Sequence, residues 1–396
     1  MDINGRVKTD INTTVMTPRA PAAGYIKPKV EVTTHSGPGT GSASISILNP
    51  DSLLENHLYR IEFENRSAFH NNAHPRFQLI DYTANDTLIH FNAIIGAEVQ
   101  TPVLHGFAVD IKNDSTVRII QAETKWQKGS SNYIVQTGFD SRFAAAYQNR
   151  RIFYPADFEI TFMEKGQGDP GFPATSFSPP NASNIVVKNV TEGLEHFQFV
   201  FRDVNQDSVF NAGDAVFFVS GDSAGKAADV FRNTRFAWSV TFVKDTTIAE
   251  EQQRTPQVGN VFRVVTTKPF RSGEFFEFVT HAPSLDLAQA QMGLDNIAVV
   301  PNPYVGAASW EPATTSVGRG ERRVYFIHLP RQCTIRIYTI SGNHVQTLQH
   351  ESSADDGQEA WNLVSKDGMD IAYGVYVFHV DAPNVGTKIG RFAVLK

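Results

Sequence analysis

A twelve-residue stretch in the middle of the chain, residues 203–214, carries oxygen-bearing side chains at regular intervals. In its sequence, DVNQDSVFNAGD, side-chain oxygens occupy positions 1, 3, 5, 9 and 12, and position 7 offers a main-chain carbonyl. A chain that wraps around an ion presents alternate residues to it, and Ca²⁺ takes about six to eight oxygen ligands. The spacing therefore predicts a structural Ca²⁺ site in this acidic loop. The expected ligands are Asp203, Asn205, Asp207, the carbonyl of Val209, Asn211 and Asp214.

The order of these ligands resembles that of EF-hand-type calcium loops and, because the loop closes with an aspartate, that of dockerins. Two features depart from the pattern. Ser208 stands at position 6, where glycine usually permits a sharp turn, and the flanking runs FQFVF and AVFFV are typical of strands rather than helices. The alternative is a β-hairpin loop rich in Asp and Asn, whose side chains hydrogen-bond their own backbone. The sequence leaves both interpretations open.

The sequence lacks several common motifs of enzyme active sites. It contains no HExxH, CxxC or Walker pattern. His70 and His74 share HxxxH spacing but have no glutamate between them, and Pro75 directly after them ends any helix. We expect these histidines to be surface residues, and we expect the chain not to be an enzyme.

Tryptophans offer a different chemistry, because an exposed indole ring can stack on a sugar. The alternative, that each packs inside a β-sandwich, is the interpretation we favour. A Pro/Gly/Ser-rich stretch at 166–183 is long enough for a binding loop, although insertions in loops are also well tolerated. A carbohydrate-binding module, or the accessory tail of a secreted glycan-active enzyme, is therefore the second functional hypothesis. The four tryptophans are Trp126, Trp238, Trp310 and Trp361.

Six sites consist of an aspartate, then serine or threonine, and then a small or apolar residue. The pattern resembles the O-glycosylation motif of secreted proteins of the Bacteroidetes. Turns are rich in Asp-Ser pairs in any case, so an unmodified turn is the alternative at each site. The candidate acceptors are Ser52, Thr87, Ser115, Ser208, Ser223 and Thr246.

Charge and composition exclude several classes of partner. The chain has 396 residues and a net charge of −6, with acidic and basic residues interspersed, so it has no basic stripe for nucleic acid. The sequence contains no run of about eighteen apolar residues, so it does not predict a transmembrane helix. The N-terminus has no signal-peptide pattern, so we expect a longer precursor or a removed leader if the chain is exported. The single cysteine, Cys333, is expected to pack as a small hydrophobe.

Short runs of β-branched and aromatic residues recur about every ten to fifteen residues from Lys29 onwards. Each run ends at Asn, Asp, Gly or Pro, which favours antiparallel strands joined by hairpins. The predicted fold class is all-β, with tandem antiparallel β-sandwiches that end in an Ig-like C-terminal domain. The expected divisions are an extended N-terminal arm or linker at 1–28, β-sandwiches at 29–126 and 127–284, a linker at 285–295 and the C-terminal domain at 296–396.

The C-terminal region carries short motifs in a fixed order, namely VVPNPY, IYTISG, WNL, DG, GVYVF and GRFAVLK. In order and spacing they resemble the FlgD-type immunoglobulin-like domain and the related C-terminal sorting domains of proteins exported by the type IX secretion system of Bacteroidetes and neighbouring phyla. Upstream of residue 296 the likeness is only a general one to β-rich regions of secreted proteins. The residues that carry the motif are Pro301, Asn302, Pro303, Gly342, Trp361, Gly374, Tyr376 and Lys396.

Several of these motif residues also have a local physical reason. Pro301 and Pro303 hold the entry strand extended. Gly342 predicts a tight hairpin, and Trp361 is expected to fill the core between two sheets. Gly374 lets the chain bend into a strand whose side chains alternate between the two faces.

The resemblance implies that the C-terminal domain is an address read by an outer-membrane translocon, and that the protein is secreted or displayed on the cell surface. The leading hypothesis is a non-enzymatic structural or assembly protein that contacts copies of itself or other surface proteins. A filament or surface-layer subunit is the sharper form of this hypothesis. Glycans are the expected partners under the second hypothesis.

Overall fold

The computed structural model describes residues 20–65, 75–94, 98–138, 151–173, 180–220, 235–305 and 322–395. Within these residues the regular structure is almost entirely β-strand. The prediction of an all-β fold is confirmed. The exceptions are one short α-helix and the 3₁₀ helices Pro50–Ser52, Glu250–Gln252 and Leu294–Asn296.

The chain divides into two compact units, each with its own internal contacts. The central unit comprises the described residues of Val30–Asn49 and Asn56–Thr280. The terminal unit comprises those of Met1–Lys29, Pro50–Glu55 and His281–Lys396.

The first sandwich of the central unit pairs a five-stranded sheet, in the order β2-β18-β4-β5-β6, with a three-stranded sheet, β3-β8-β7. Apolar side chains alternate along these strands, so that Tyr59, Ile61 and Phe63 point into one aromatic core together with Phe107 and Phe278. The strands are β2 (Lys29–Ser36), β3 (Ser42–Ile47), β4 (His57–Glu64), β5 (Arg76–Asp81), β6 (Asp86–Ile94), β7 (Glu98–Gln100), β8 (Phe107–Lys112) and β18 (Phe275–His281).

The second sandwich of the central unit consists of a five-stranded sheet, β10-β16-β15-β14-β12, and a four-stranded sheet, β13-β11-β17-β9. Phe158 of one sheet packs on Phe218 of the other, with ring centroids 4.4 Å apart. The strands are β9 (Lys125–Lys128), β10 (Ile134–Gly138), β11 (Phe158–Phe162), β12 (Phe172–Pro173), β13 (Ile185–Asn189), β14 (Phe199–Arg202), β15 (Ala215–Ser220), β16 (Arg235–Val243) and β17 (Val261–Val264).

Sheet membership in the central unit does not follow chain order. Strand β18, at Phe275–His281, pairs with β4 of the first sandwich, although in the sequence it continues the series of strands of the second. The second sandwich is thus inserted between β8 and β18 of the first. Alternation along β18 shows which face is buried but not which strand lies beside it. The domain divisions at 29–126 and 127–284 stay predictions.

The terminal unit contains an Ig-like sandwich with a three-stranded sheet, β20-β22-β25, and a five-stranded sheet, β21-β27-β26-β23-β24. Its buried apolar side chains, of which Ile297 is the first and Val394 the last in the sequence, form one core. The strands are β20 (Ala298–Val300), β21 (Tyr304–Val305), β22 (Val324–Ile327), β23 (Gln332–Thr339), β24 (His344–Glu351), β25 (Glu359–Trp361), β26 (Gly374–Ala382) and β27 (Gly386–Leu395).

Two further pieces belong to the terminal unit. Strand β1 (Tyr25–Ile26) pairs with β19 (Ser284–Leu285), and helix α1 (Leu287–Gly293) follows directly. The side chain of Asp286 accepts a hydrogen bond from the Gln289 N–H and so caps this helix. The stretch expected as a linker, 285–295, is therefore regular structure for most of its length.

Candidate metal site in the acidic loop

The acidic loop joins β14 to β15 and therefore lies at the end of a hairpin in the second sandwich. Asp203, Asp207 and Asp214 each place one carboxylate oxygen so that the three atoms lie within 4.8 Å of one another. These are the ligands expected at positions 1, 5 and 12. The structure thus brings together the two ends of the loop and its middle, as binding of one ion requires.

The backbone of the loop turns sharply where the sequence departs from the calcium pattern. Ser208 has a φ of 60°, in the left-handed region that glycine adopts most readily. Its N–H donates to Oδ2 of Asp203 at 2.7 Å, and the Asp207 N–H donates to Oδ1 at 3.3 Å. Serine at position 6 therefore makes the turn that glycine usually makes.

Asp214 is the most buried carboxylate of the loop, with 1% of its surface exposed. Burial raises the pKa of Asp214, and the charges of Asp203 and Asp207 raise it further. Hydrogen bonds from the N–H groups of Val204, at 2.8 Å, and Asn211, at 3.0 Å, oppose this rise in pKa. A cation between the three carboxylates would offset both the burial and the repulsion, so the group of ligands fits Ca²⁺.

The remaining predicted ligands lie beside this cluster. The side-chain amides of Asn205 and Asn211 donate to Oδ2 of Asp207 at 2.8 and 2.9 Å. Rotation of an amide by half a turn would present its oxygen instead of its nitrogen. The N–H of Val209 donates to Oδ1 of Asp207 at 2.8 Å.

The loop is anchored to the core through Phe210, a residue that the spacing of ligands does not identify. Its side chain is buried against Phe242, with ring centroids 4.7 Å apart. Its N–H donates to Oδ1 of Asn184 at 2.7 Å, and the Gly213 N–H donates to the carbonyl of Phe242 at 2.9 Å. The large aromatic residue directly before Asn211 was the available signal, whereas Asn184 lies too far away in sequence to be linked to the loop.

The motif residues of the C-terminal domain occupy structural positions. Trp361 is 1% exposed, and its Nε1 donates to the carbonyl of Val364 at 3.0 Å. Gly342 has a φ of 85° in the turn between β23 and β24, in agreement with the expected hairpin. The Tyr376 hydroxyl donates to the carbonyl of Ala372 at 2.7 Å.

The entry to this domain is tied to its last strand. Oδ1 of Asn302 accepts a hydrogen bond from the Ala393 N–H at 3.0 Å, and strand β21, just after Pro303, runs parallel to β27. Pro301 precedes this contact, Gly374 opens β26, and Lys396 lies outside the described residues.

The described tryptophans pack in cores. Trp238 is 3% exposed, and its Nε1 donates to the carbonyl of Tyr154 at 2.8 Å. Trp126 is half-buried and stacks on Phe242 with a centroid distance of 5.8 Å. Trp310 lies outside the described residues, as do His70 and His74.

The predicted modification sites differ in their exposure to solvent. Ser52 and Thr246 are exposed, whereas Thr87, Ser115 and Ser208 are half-buried, and Ser223 lies outside the described residues. O-glycosylation stays a prediction at each of these sites.

Cys333 is buried in the terminal core. Burial raises the pKa of its thiol to about 12, and the charges of Glu359 and Asp381 add to the rise.

A cavity of about 330 Å³ lies beside the long loop of the second sandwich. Phe172 and Phe197 form part of its walls. Its polar lining includes Asp169 and His196, whose Oδ1 and Nδ1 atoms lie 2.8 Å apart. Residues 174–179 of the loop, within the stretch 166–183, lie outside the described residues. The cavity therefore offers polar and aromatic groups together.

No helix in the described ranges has the length and apolar character needed to cross a membrane. No protein-family model matches the chain, and no curated protein matches it.

Among solved structures, the chain is similar to PorZ, an essential surface component of the type-IX secretion system of Porphyromonas gingivalis. The two are 13% identical, with 83% of this chain and 43% of PorZ covered and a TM-score of 0.22. Dimeric latent PorU from the same organism is 11% identical, with 93% of this chain and 34% of PorU covered and a TM-score of 0.17. The chain thus spans less than half the length of either protein.

A third similar structure is the adhesin domain of Epf from Streptococcus pyogenes. It is 11% identical, with 92% of this chain and 98% of that domain covered and a TM-score of 0.18. TM-scores this low do not show a shared fold in any of the three cases. The fold and the candidate site therefore rest on the residues of this chain.

Proposed function

We propose that this protein is an extracellular, cell-surface structural or assembly component, rather than an enzyme, that leaves the cell by a type IX-like route. The observation that carries the proposal is the construction of the C-terminal domain. Among the residues that carry its motif, Trp361 and Tyr376 belong to a hydrophobic core of its own, and Gly342 makes the turn between β23 and β24. The translocon would recognise this domain, and the two sandwiches of the central unit would be its cargo.

The mechanical part of the proposal rests on rigid sandwiches with open edges. In the sheets that the structure describes, β2 and β6 lie at the edges of the first sandwich and β24 lies at an edge of the C-terminal one. An edge strand presents unpaired N–H and C=O groups on one side and can pair with another chain. Ca²⁺ held by Asp203, Asp207 and Asp214 would stiffen the hairpin of the acidic loop as a staple.

Secretion of the full chain tests the proposed route. The chain would be expressed behind a signal peptide in a bacterium with a type IX system and in a matched strain without its translocon. We expect surface-exposed protein only in the first strain, and we expect a variant lacking residues 390–396 to remain in the periplasm. Equal exposure in both strains, or retention in both, would contradict the proposal.

Self-association is tested separately, by electron microscopy and light scattering of the purified protein over a range of concentrations. We expect multimers that grow with concentration. Monomers at every concentration would rule out the filament or surface-layer form of the proposal while leaving the secretion route untouched.

The second candidate, glycan binding, is favoured by the cavity beside Asp169 and His196 rather than by a tryptophan. A carboxylate–histidine pair next to aromatic walls suits a sugar, which has hydroxyl groups and an apolar face. A glycan array with the wild type and the Asp169→Asn variant tests it. Specific binding that the variant loses would favour this candidate, and an array without signal would eliminate it.

A further inference from the structure

The segment Ala20–Ile26, called here the arm segment, is built into the terminal unit by its main chain. The Ala22 N–H donates to the carbonyl of Ala354 at 3.1 Å, and the carbonyl of Ala20 accepts from the Gly357 N–H at 2.7 Å. Ala22 is 3% exposed and thus fully seated among these residues. The first contact of the arm segment is therefore with the loop that follows β24.

The other side of the arm segment binds different parts of the unit. The Ala23 N–H donates to the carbonyl of Leu329 at 3.0 Å, and the carbonyl of Gly24 accepts from the Asp286 N–H at 2.9 Å. The register of β1 then places Ile26 opposite Ser284. Residues 284–286, 329 and 354–357 thus form one acceptor groove, in which the arm segment is held from both sides.

The fit is close at two glycines. A Cβ atom on Gly357 would lie 2.6 Å from the carbonyl oxygen of Pro21, and one on Gly24 would lie 2.3 Å from that of Asp286. Contacts this short leave no room for a side chain at either position. The groove is therefore shaped for this backbone and not for an arbitrary extended peptide.

The arm segment is held through its main chain. In the described structure its hydrogen bonds to the groove given above join main-chain groups, and Ala22 is buried there. The following Lys27 is exposed, and Pro28 restricts it to extended conformations. The same bonds would form with a second copy of the segment, because nothing in them depends on which chain supplies it.

We propose that the acceptor groove also binds the arm segment of a second copy of this chain, so that copies join head to tail. This inference rests on the proposed function and assigns its copy-to-copy contact to named residues. The donor and the acceptor are different surfaces, so exchange that is not reciprocal leaves a free donor and a free acceptor at the two ends. Such a contact propagates into a filament, whereas reciprocal exchange closes a dimer.

Disulfide trapping in the full-length protein tests the exchange. One chain carries Ile26→Cys and a second, differently tagged chain carries Ser284→Cys. Both positions are exposed, and they face each other across the β1–β19 pair, where opposite side chains lie about 5 Å apart. The native Cys333 is 2% exposed and leaves a low background. The matched control pairs Ser284→Cys with Val258→Cys, which is 55% exposed and lies in the central unit.

We expect several-fold more disulfide-linked heterodimer from the first pair than from the control, rising with protein concentration. Adding Gly357→Ala to the acceptor chain should abolish the excess, whereas Gly293→Ala, whose Cβ would meet Ala23 at an ordinary 3.5 Å, should leave it unchanged. Circular dichroism of both variants would check that each still folds.

Equal heterodimer from the test and control pairs would overturn the exchange. If light scattering still showed multimers in that case, the proposed self-association would stand and only its assignment to the arm segment would fail. If the protein were also monomeric, both would fail.

Discussion

The core around Trp361 in the terminal unit and the polar interior of the central unit are stabilised in different ways. Trp361 packs edge-on against Phe392, with ring centroids 6.0 Å apart, and its one polar atom donates to a backbone carbonyl. In the central unit, by contrast, the carboxyl groups of Asp214 and Glu274 are 1% and 4% exposed. Packing depends little on solution conditions, whereas buried acids respond to pH and to cations.

From this difference we expect the stability of the central unit to depend on pH and on cations, and the stability of the core around Trp361 to be insensitive to both. Substitutions in each region, measured with and without Ca²⁺ and at two pH values, would separate the two kinds of stabilisation.

The largest effect is expected at Trp361. Trp361→Ala removes the largest fully buried side chain of the described residues and should lower the free energy of unfolding by about 3–5 kcal/mol. Urea denaturation measures this loss, with Tyr373→Ala, whose ring is 53% exposed, as a control that should change it by less than about 0.5 kcal/mol. If the loss at Trp361 depended on Ca²⁺, the proposed separation of the two regions would be wrong.

The next effect concerns Glu274. Burial raises the pKa of Glu274 to about 7, although Arg271, Lys268 and the Gly39 N–H, which donates to Oε2 at 3.0 Å, favour the charged form. Between the pKa of the unfolded chain, 4.5, and about 7, the folded state binds more protons, so its stability falls as pH rises. Glu274→Gln should match the wild type at pH 4.5 and exceed its free energy of unfolding by up to ~3 kcal/mol at pH 8.

Urea denaturation at both pH values checks this prediction. The control is Glu277→Gln in the neighbouring strand β18, whose side chain is 18% exposed and pairs with Arg60. That variant should show no gain at pH 8. A Glu274→Gln variant that is less stable at pH 8 would mean that attraction to Arg271 outweighs burial.

A comparable but smaller effect is expected from Ca²⁺ at the acidic loop. A ligand that binds only the folded state at about one hundred times its Kd adds ~2.7 kcal/mol, so Ca²⁺ should raise the Tm relative to EDTA. Asp203→Asn removes one ligand charge and should abolish most of this rise, whereas Glu164→Gln, an exposed carboxylate of the same sandwich, should leave it intact. An unchanged Tm at millimolar Ca²⁺ would eliminate the metal site.

The sequence predicted the strands, the acidic cluster and the core position of Trp361 because each depends on local spacing. It did not predict that β18 pairs in the first sandwich, because alternation gives the buried face and not the neighbouring strand. The sequence also did not predict the contact of Ala22 with Ala354, because small residues that bond through their main chain leave no recognisable sequence pattern. Burial of Glu274 follows from the glycine-rich turn at 37–41 folding over it, a contact between residues far apart in the chain.

The smallest expected effect refines the interpretation of the acidic loop. Ser208 adopts a φ of 60°, which costs a non-glycine residue about 1–2 kcal/mol. Ser208→Gly removes that strain but increases the freedom of the unfolded chain, so we expect a net gain of about 0.5–1 kcal/mol. Chemical denaturation in EDTA measures the gain, and isothermal titration with Ca²⁺ measures whether affinity also rises. Tighter Ca²⁺ binding by Ser208→Gly would show that the strained turn limits the affinity of the site. A gain in stability without a change in affinity would show that the turn is strained but that the carboxylates bind Ca²⁺ independently of that strain.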